Sequence, residues 1–172
     1  FDCKKLIVLE ETDLKTINSI KHFQDIIIIF QKKGGYGDAL LEGIRQTKTN
    51  YFCIINADGS MNPKYLNKML NLCKNLDLVF TSRYQYPGGG SEDDTFVTFI
   101  GNKIFSFLGN ILFDLKISDI LFTYILANTK SVKSLKLKSK DFRLCVELPI
   151  KAKRSGLKYQ CIPSFERSRI GG

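Results

Sequence analysis

The five residues Ile26 to Phe30, Ile-Ile-Ile-Ile-Phe, constrain the fold of this chain more than any other stretch. Four of them are β-branched, and no polar residue alternates with them. Runs of this kind are typical of a strand that is covered on both faces, as in a parallel sheet between two layers of helices. The sequence therefore predicts an α/β fold.

Strand and helix patterns alternate on both sides of this run. Strand patterns fall at residues 5–9, 26–30, 52–55, 78–81 and 158–163. Apolar residues with helical spacing fall at residues 14–23, 38–46, 63–75, 95–114 and 142–155. This order, with short connections, predicts a mostly parallel sheet flanked by helices on both faces. No linker or repeat divides the 172 residues, so we predict a single domain over residues 1–172.

The chain is basic, with a formal net charge of +9 from 26 Lys and Arg residues against 17 Asp and Glu. This charge favours anionic partners: nucleic acid, a membrane surface or phosphorylated substrates. No dense basic run contains interleaved aromatic residues, so nucleic acid is not an expected partner. Five cysteines without a Cys-x-x-Cys pair, and a single histidine, disfavour a zinc site or a histidine-based triad and indicate reduced thiols in the cytoplasm.

Polar side chains follow the strand pattern at residues 52–55. Asn56 and Asp58 come where the apolar run stops, and Gly59 and Ser60 then break the chain. In a parallel sheet the carboxyl ends of the strands face the ligand crevice. Oxygen ligands of this kind suit a Mg²⁺ or Mn²⁺ ion that also binds a diphosphate. The alternative is an Asx turn without a ligand, because Asp-Gly-Ser is common in turns.

A glycine-rich loop at residues 33–37 follows the strand pattern at 26–30. Lys33, Gly35 and Gly37 would let backbone N–H groups approach a phosphate or nucleotide, and the N-terminus of the following helix favours an anion. The loop is neither a Walker loop nor a full dinucleotide fingerprint. The alternative is a tight loop that needs positive φ angles.

Three arginines follow predicted strands. Arg83 comes after the pattern at 78–81 and precedes a glycine run, while Arg167 and Arg169 follow the pattern at 158–163. We expect Arg83 to project into the same crevice as the predicted metal ligands. Guanidinium groups bind phosphate through paired donors, so these residues are candidates for contact with an anionic substrate. The alternative for Arg83 is a surface charge beside a flexible loop.

Two carboxylates lie in otherwise apolar surroundings. Glu147 falls on an apolar helix face, and Asp119 follows the strand-like pair Lys116-Ile117. Both are candidate substrate ligands, although a carboxylate in such a place more often pairs with Lys or Arg. If the acceptor were a sugar hydroxyl, a general base would be needed, and these two residues are the poor candidates for it.

These stretches, taken in order, resemble glycosyltransferase family 2, in the subgroup similar to dolichyl-phosphate mannosyltransferase and bacterial polyprenyl-phosphate sugar transferases. The resemblance covers nearly the whole chain. The matching stretches are Glu10–Asp13, Lys33-x-Gly-x-Gly-x-Ala39, Asn56-Ala57-Asp58, Ser82-Arg83-Tyr84 with the glycines that follow, Glu147, and Arg167-x-Arg-Ile-Gly. In two places the chain departs from the family. The family's first strand is expected before Phe1, which would make the chain a fragment, and Asn56 stands where the metal motif has its first acidic residue.

The resemblance implies a GT-A fold, a nucleotide-sugar donor, a divalent cation (Mg²⁺ or Mn²⁺), and inverting transfer to a polyprenyl phosphate at the cytoplasmic face of the membrane. It implies that Asp58 and Arg83 are the catalytic residues and that Asp58 and Asn56 hold the metal. The implied substrate-binding residues are Glu10, Asp13, Lys33, Gly35, Gly37, Ser60, Asp119, Glu147, Arg167 and Arg169. A phosphate acceptor is already anionic, so no strong general base is required.

Two other functions remain open. A sugar-phosphate nucleotidyltransferase uses a similar sheet and metal, but it needs a glycine-rich loop with Arg or Lys immediately after its first strand. A non-catalytic remnant that binds nucleotide sugars is suggested by Asn56 and by the absence of the first strand. Release of pyrophosphate would indicate the first alternative, and absence of nucleoside diphosphate release would indicate the second.

The apolar segment from Phe96 to Phe113 is interrupted by Asn102, Lys103 and Asn110, so we predict an amphipathic helix and not a membrane span. Most of its apolar surface is expected to pack on the sheet. One edge, with nearby Lys and Arg residues, is predicted to make peripheral contact with an anionic membrane. The electrostatic part of such binding weakens as salt rises.

Overall fold

A computed structural model of the protein describes residues 3–171. The strands are β1 Lys5–Leu9, β2 Ile26–Phe30, β3 Tyr51–Ile54, β4 Leu78–Ser82, β5 Gly90–Ser91, β6 Ile125–Asn128, β7 Tyr159–Pro163 and β8 Phe165–Glu166. The helices are α1 Leu14–Ile20, α2 Tyr36–Gln46, α3 Leu66–Cys73, α4 Phe96–Phe113, α5 Thr129–Ser134 and α6 Leu144–Arg154, with a 3-10 turn at Pro63–Tyr65. The single domain over residues 1–172 stays a prediction, and residues 1, 2 and 172 lie outside the described part.

The strands pair mainly in parallel, with one reversed strand. β1 and β2 are parallel, with Lys5 opposite Ile26. The largest sheet has the order β3-β6-β4-β7, in which β4 and β7 are parallel and β6 runs antiparallel to both of its neighbours. β5 and β8 form a short parallel pair. The α/β class is therefore confirmed, but the strands of residues 3–171 form three sheets where the sequence predicted one, and β6 is a strand that the sequence patterns did not indicate.

Strand β4 organises the core because both of its faces are covered. All of its residues, Leu78–Ser82, are buried. Phe80 belongs to the same apolar cluster as Leu148 of α6, whereas Val79 belongs to a second cluster with Met69 of α3. Side chains alternate between the two faces of a strand, which explains this division. Helices therefore lie on both faces of the sheet that contains β4, whereas the prediction that β2 is covered on both faces is wrong, because Ile27 is 47% exposed and Phe30 is 42% exposed.

Most of the predicted site residues directly follow the carboxyl ends of strands. Glu10 follows β1, the glycine loop at 33–37 follows β2, and Asn56 and Asp58 come just after β3. Arg83 follows β4. In open α/β sheets, ligands bind in the crevice outside these strand ends. The fold thus places the predicted residues where an α/β protein of this kind has its site.

Helix α4 differs from its prediction in the direction of its apolar surface. It begins after Thr95, whose side chain accepts a hydrogen bond from the Thr98 N–H, and it ends at Asp114, which has a φ of 49°. Only 11% of the helix is buried, and by length and composition alone it could cross a membrane. The prediction that most of its apolar surface packs on the sheet is therefore wrong. Its interrupting polar residues do not lower its hydropathy below that of a span.

Candidate active site

The Asp58 side chain stands in a tight turn after β3 and has one oxygen engaged. Its Oδ1 accepts hydrogen bonds from the Ser60 N–H (3.0 Å) and the Ser60 hydroxyl (2.8 Å). Gly59, between Asp58 and Ser60 in the chain, has a φ of +81°. This is the Asx turn expected as one reading of the sequence. The other oxygen, Oδ2, faces the guanidinium Nε of Arg169 at 3.8 Å. The turn therefore directs one carboxylate oxygen toward a cationic group.

The segment that follows β8 crosses this turn. The Arg167 N–H donates to the Ser60 carbonyl (3.0 Å), and the Ile170 N–H donates to the Asp58 carbonyl (2.8 Å). Arg169 Nε also lies 2.8 Å from Asp93 Oδ2, on the loop before α4. Two backbone hydrogen bonds thus bring the predicted basic pair, Arg167 and Arg169, next to Asp58.

Asn56 connects the turn to the glycine loop. Its Oδ1 accepts a long hydrogen bond (3.4 Å) from the hydroxyl of Tyr36, the first residue of α2. The same hydroxyl lies 2.5 Å from the Thr123 hydroxyl, and burial raises the pKa of Tyr36. The carboxamide oxygen of Asn56 is therefore at the edge of the crevice, held by an uncharged partner. Tyr36 and Thr123 are site residues that the sequence patterns did not indicate.

The glycines of the loop make room for another backbone segment. Gly35 has a φ of +121°, and a Cβ built on it would lie 2.6 Å from the Lys140 carbonyl oxygen. A Cβ on Gly37 would lie 2.6 Å from the carbonyl oxygen of Ser139. The Lys33 N–H is bound by the Asp38 carboxylate at 2.8 Å. The alternative reading, a tight loop that needs glycine, is thus what these contacts show, and phosphate binding by this loop stays a prediction.

Glu10 and Asp13 lie at the end of β1 beside this loop. Asp13 accepts a hydrogen bond from the Glu10 N–H (3.0 Å), which closes the turn into α1. Glu10 accepts one from the Gln31 side chain (2.7 Å), and a Cβ on Gly34 would lie 3.3 Å from its carboxylate. Glu10 therefore reaches the glycine loop, whereas the contact found for Asp13 is the turn itself.

Glu147 of α6 holds the segment against which the glycines pack. Its carboxylate accepts hydrogen bonds from the backbone N–H groups of Lys138 (2.9 Å) and Ser139 (2.7 Å), and the Lys151 ammonium lies 2.8 Å away. Burial alone would raise the pKa of Glu147, but these partners outweigh it and hold the pKa at about 2. Glu147 is thus a positioning residue for the loop, and direct contact with a substrate stays a prediction.

Replacing Glu147 by Gln should lower the free energy of unfolding by about 1–2 kcal/mol at neutral pH, because two backbone N–H groups lose a charged acceptor. The pKa of Glu147 is near 4.5 in the unfolded chain and about 2 in the folded protein. The stabilisation is therefore complete above about pH 5 and is lost as the pH falls toward 2. Urea titrations at several pH values should show the two proteins converge in acid. A difference that stays constant with pH would contradict this assignment.

Arg83 is enclosed by carboxylates from three other parts of the chain. Its Nε and Nη2 donate to the two oxygens of Asp119 (2.7 and 3.0 Å), and Nη1 lies 3.2 Å from Glu166 and 3.5 Å from Asp94. The Arg83 side chain is 10% exposed and that of Asp119 is 0% exposed. Burial opposes the charged form, but the bonds to Asp119 and Glu166 outweigh it and raise the pKa of Arg83.

These contacts change what Arg83 can do. One guanidinium faces three carboxylates, so an acceptor phosphate placed there would meet net negative charge. The alternative, a surface charge beside a flexible loop, is wrong, because the Arg83 side chain is buried. Direct contact between Arg83 and a phosphate stays a prediction, and its observed role is to tie the end of β4 to Asp119, Asp94 and Glu166.

A cavity of about 420 Å³ lies between this cluster and the start of α4. Its lining residues are Arg83, Tyr84, Gly90, Ser91, Asp94, Thr95, Phe96 and Phe99. Tyr84 bonds to Asp94 through its hydroxyl, and burial together with this bond raises the pKa of Tyr84. The cavity is therefore polar on the side of Arg83 and aromatic on the side of α4. Asp94 is a further site residue that the sequence patterns did not indicate.

Comparison with known proteins identifies the family. Residues 12–136 match the model of Glycosyl transferase family 2. The chain belongs to this family. The match includes the glycine loop, Asn56, Asp58, Arg83 and Asp119, whereas Glu147, Arg167 and Arg169 lie beyond it.

Solved structures show the same fold. Glucosyl-3-phosphoglycerate synthase from Mycobacterium tuberculosis in complex with UDP superposes with a TM-score of 0.65 at 16% identity, over 97% of this chain and 61% of that one. The same enzyme with Mn²⁺, UDP and glucosyl-3-phosphoglycerate gives 0.64 at 14% identity, again over 97% and 61%. A mycobacterial protein gives 0.64 at 13% identity, over 97% and 56%. The GT-A fold is confirmed, and the chain spans roughly three fifths of these relatives' length.

The family-2 fold brings seven of the predicted site residues together in two groups, whereas Glu10, Asp13, Glu147 and the glycine loop lie outside both. One group surrounds the Asp58 turn and the other surrounds Arg83, and Arg169 of the first group also pairs with Asp93, the neighbour of Asp94 in the second. The first group consists of Asn56, Asp58, Ser60, Arg167 and Arg169. The second consists of Arg83 and Asp119, together with Asp94 and Glu166. Glu166 lies three residues after the end of β7, and no local sequence pattern indicates that its carboxylate reaches Arg83.

Proposed function

We propose that this chain is the catalytic part of a glycosyltransferase that moves a sugar from a nucleotide-diphosphate sugar to a polyprenyl phosphate, with inversion and with Mg²⁺ or Mn²⁺. The observation that carries the proposal is the Asp58 carboxylate after β3. One of its oxygens is bound by Ser60, and the other faces the guanidinium of Arg169. Membership of family 2 supports sugar transfer. Glucosyl-3-phosphoglycerate synthase, which binds UDP and Mn²⁺ in its own structure, supports the class of donor and the metal.

Asp58 and Asn56 fit an ion that also binds the donor diphosphate. Both offer side-chain oxygens, and the guanidinium of Arg169 already places a positive charge 3.8 Å from Asp58 Oδ2. Within residues 3–171 no group of three or more His, Cys, Asp or Glu side chains could hold a metal by itself. Diphosphate oxygens would therefore complete the ligand set, as is common for Mg²⁺. When bound, the ion neutralises the departing nucleoside diphosphate.

The remaining residues of the first group would orient the acceptor. Arg167 and Arg169 are exposed and adjacent to Asp58, so they are better placed than buried Arg83 to meet an acceptor phosphate. An acceptor phosphate is anionic at neutral pH and attacks without a strong base. Consistent with this, Asp119 and Glu147 are both engaged, the first by Arg83 and the second by backbone N–H groups.

We place this reaction at the cytoplasmic face of the membrane, with peripheral contact to anionic lipid and no nucleic-acid partner. The net charge of +9 supports attraction to an anionic surface. A soluble phosphate-bearing acceptor is the second candidate, because glucosyl-3-phosphoglycerate synthase binds phosphoglyceric acid. The two acceptors differ in whether the reaction needs a lipid phase.

The test is an assay of nucleoside diphosphate release. UDP- and GDP-sugars would be incubated with the protein and Mn²⁺, with and without polyprenyl phosphate in detergent. We expect release that needs both the metal and the lipid phosphate and that stops on addition of EDTA. Release with phosphoglyceric acid but not with polyprenyl phosphate would overturn the lipid acceptor. Pyrophosphate release would indicate a nucleotidyltransferase, and binding without release a non-catalytic protein.

Replacing Asn56 by Asp should leave Mn²⁺ binding in the presence of UDP at least as tight as in the wild type, because a carboxylate replaces a carboxamide at the metal. Calorimetry of UDP and Mn²⁺ binding would measure this. Asn62→Asp is the matched control, since Asn62 caps the 3-10 turn through Lys64 N–H (3.0 Å) and Asp caps equally well. Weaker metal binding by Asn56→Asp alone, with an intact fold, would show that Asn56 is not a ligand.

A further inference from the structure

Helix α4 exposes the kind of surface that a soluble helix buries. Its exposed large apolar residues are Phe96, Val97, Phe99, Ile100, Ile104, Phe105, Phe107, Leu108, Ile111 and Leu112. With about 3.6 residues per turn, these positions cover more than half of the helix circumference. Monomeric soluble proteins rarely expose a continuous apolar surface of this extent.

The side of α4 that contacts the domain is mostly small and polar, apart from Phe99 against the Tyr84 ring and Phe113 against the apolar core. This stripe consists of Asn102, Ser106, Gly109 and Asn110. Asn102 donates to the Tyr84 hydroxyl (2.8 Å), and Asn110 both donates to and accepts from the backbone of Ile117 (2.8 and 3.0 Å). Ser106 and Gly109 are buried. The spacing of these positions defines one face of the helix, which therefore lies along the domain.

This distribution is the reverse of that in an ordinary amphipathic helix, which turns its apolar stripe to the core. It matches helices in lipid, where small and polar residues make the protein contacts and apolar residues face hydrocarbon. We infer that α4 lies in the plane of a lipid bilayer, with its outward half in the acyl-chain boundary. The inference deepens the proposed function, on which it rests for the lipid-linked acceptor.

Charged groups lie at the borders of this surface. Lys103 is the only charged residue within α4, and its ammonium lies over the rings of Tyr84 (5.1 Å) and Phe99 (5.7 Å). At the other end the Arg154 guanidinium lies 5.5 Å from the ring of Phe113. Long cationic side chains beside an apolar face suit lipid head groups at the interface. A helix from a second copy would cover one stripe only, and not the whole outward half.

The same placement explains how a lipid acceptor would reach the site. Phe96 and Phe99 belong to the outward surface and also line the cavity next to Arg83. The N-terminal end of α4 therefore brings the cavity to the level of the bilayer surface. An acceptor could enter with its head group while its apolar chain stays in the membrane.

The test uses the absence of tryptophan from the chain, which makes a single introduced tryptophan a clean reporter. Phe107→Trp reports on the outward side of α4, where Phe107 is 63% exposed. Phe23→Trp is the matched control, at a 50% exposed phenylalanine between α1 and β2. Vesicles of phosphatidylcholine with a minority of phosphatidylglycerol, without sugar donor or polyprenyl phosphate, would be added to each.

We expect a blue shift and quenching by acyl-brominated lipid at position 107 but not at position 23. Both should persist at about 0.5 M NaCl, where charges are screened beyond a few ångströms. The double variant Ile111→Ser, Leu112→Ser should bind vesicles at least about tenfold more weakly, because it removes two apolar side chains that the bilayer would otherwise bury. Leu14→Ser, at a 64% exposed residue of α1, should bind like the wild type.

Two outcomes would overturn the inference. An unquenched reporter at position 107 would show that α4 does not enter lipid. A blue shift that needs no vesicles and grows with protein concentration would assign the surface to a second copy of the chain. Neither outcome bears on the proposed sugar transfer, because nucleoside diphosphate release is measured in detergent without a bilayer; an unquenched reporter would count only against the placement of α4 in lipid.

Discussion

Replacing Arg83 by Met should lower the free energy of unfolding by about 3–5 kcal/mol, the largest stability effect that we expect in this protein. The substitution keeps much of the side-chain volume but leaves Asp119, Glu166 and Asp94 without their cation, and the side chain of Asp119 is fully buried. Removing one partner of a buried ion pair has a cost of this size, because the remaining charges stay desolvated. Urea denaturation at neutral pH would measure the effect.

Arg83→Lys separates charge from geometry. Lysine keeps the positive charge but cannot donate to both oxygens of Asp119, so we expect an intermediate loss of stability and reduced turnover. Arg143→Met is the matched control, since Arg143 binds both oxygens of Asp141 but its side chain is 82% exposed. Exposed pairs of this kind contribute little, and we expect no measurable change. Equal stabilities of the Arg83 and Arg143 variants would contradict the structural role of the cluster.

The contrast between these two arginines shows what sequence patterns can and cannot reveal. Arg143 and its partner are two residues apart, whereas the partners of Arg83 lie 11, 36 and 83 residues away. The position of Arg83 after a strand was predictable from the local pattern. Its enclosure by three carboxylates depends on how distant loops meet, and no local pattern encodes that.

The sequence predicted the position of the glycine loop correctly, but the contacts in the structure give its glycines a different role. A strand followed by glycines and a helix is a local signal, and α2 does start within this loop. The close approach of the backbone at Lys140 to Gly35 is a contact over more than 100 residues of chain. Both a phosphate and a second backbone need a residue without a side chain, so the residue type alone cannot distinguish them.

Helix α4 is a third element for which the sequence predicted the position but not the contacts. Its limits, Phe96–Phe113, follow from the apolar spacing and from the Thr95 cap, and the prediction at 95–114 agrees with them. Its orientation does not follow, because a helix with apolar residues on most of its circumference has no unique inward face. The contacts of Asn102 and Asn110 with the domain decide it. In the sequence these polar residues interrupt an apolar segment, and in the structure they hold the helix to the protein.

Replacing Asp58 by Ala should abolish Mn²⁺-dependent binding of a nucleotide sugar, with an affinity loss of about a hundredfold or more. Asp58 is the only carboxylate of the Asn-Ala-Asp motif, and its Oδ2 is the oxygen that faces the guanidinium of Arg169. Loss of a metal ligand at a site with so few protein ligands leaves the diphosphate charge unbalanced. Calorimetry with UDP- and GDP-sugars, with Mn²⁺ and then with EDTA, would measure the effect.

Two further variants separate the charge of Asp58 from its turn. Asp58→Asn can still accept the hydrogen bonds of Ser60 but loses the negative charge, so it should bind the metal nearly as poorly as Asp58→Ala. Ser60→Ala removes the 2.8 Å hydroxyl bond but keeps the carboxylate, so it should weaken binding only a few-fold. Unchanged affinity in Asp58→Asn would show that Asp58 serves the turn alone. The metal would then have to be held without it, and the assignment of the site would fall.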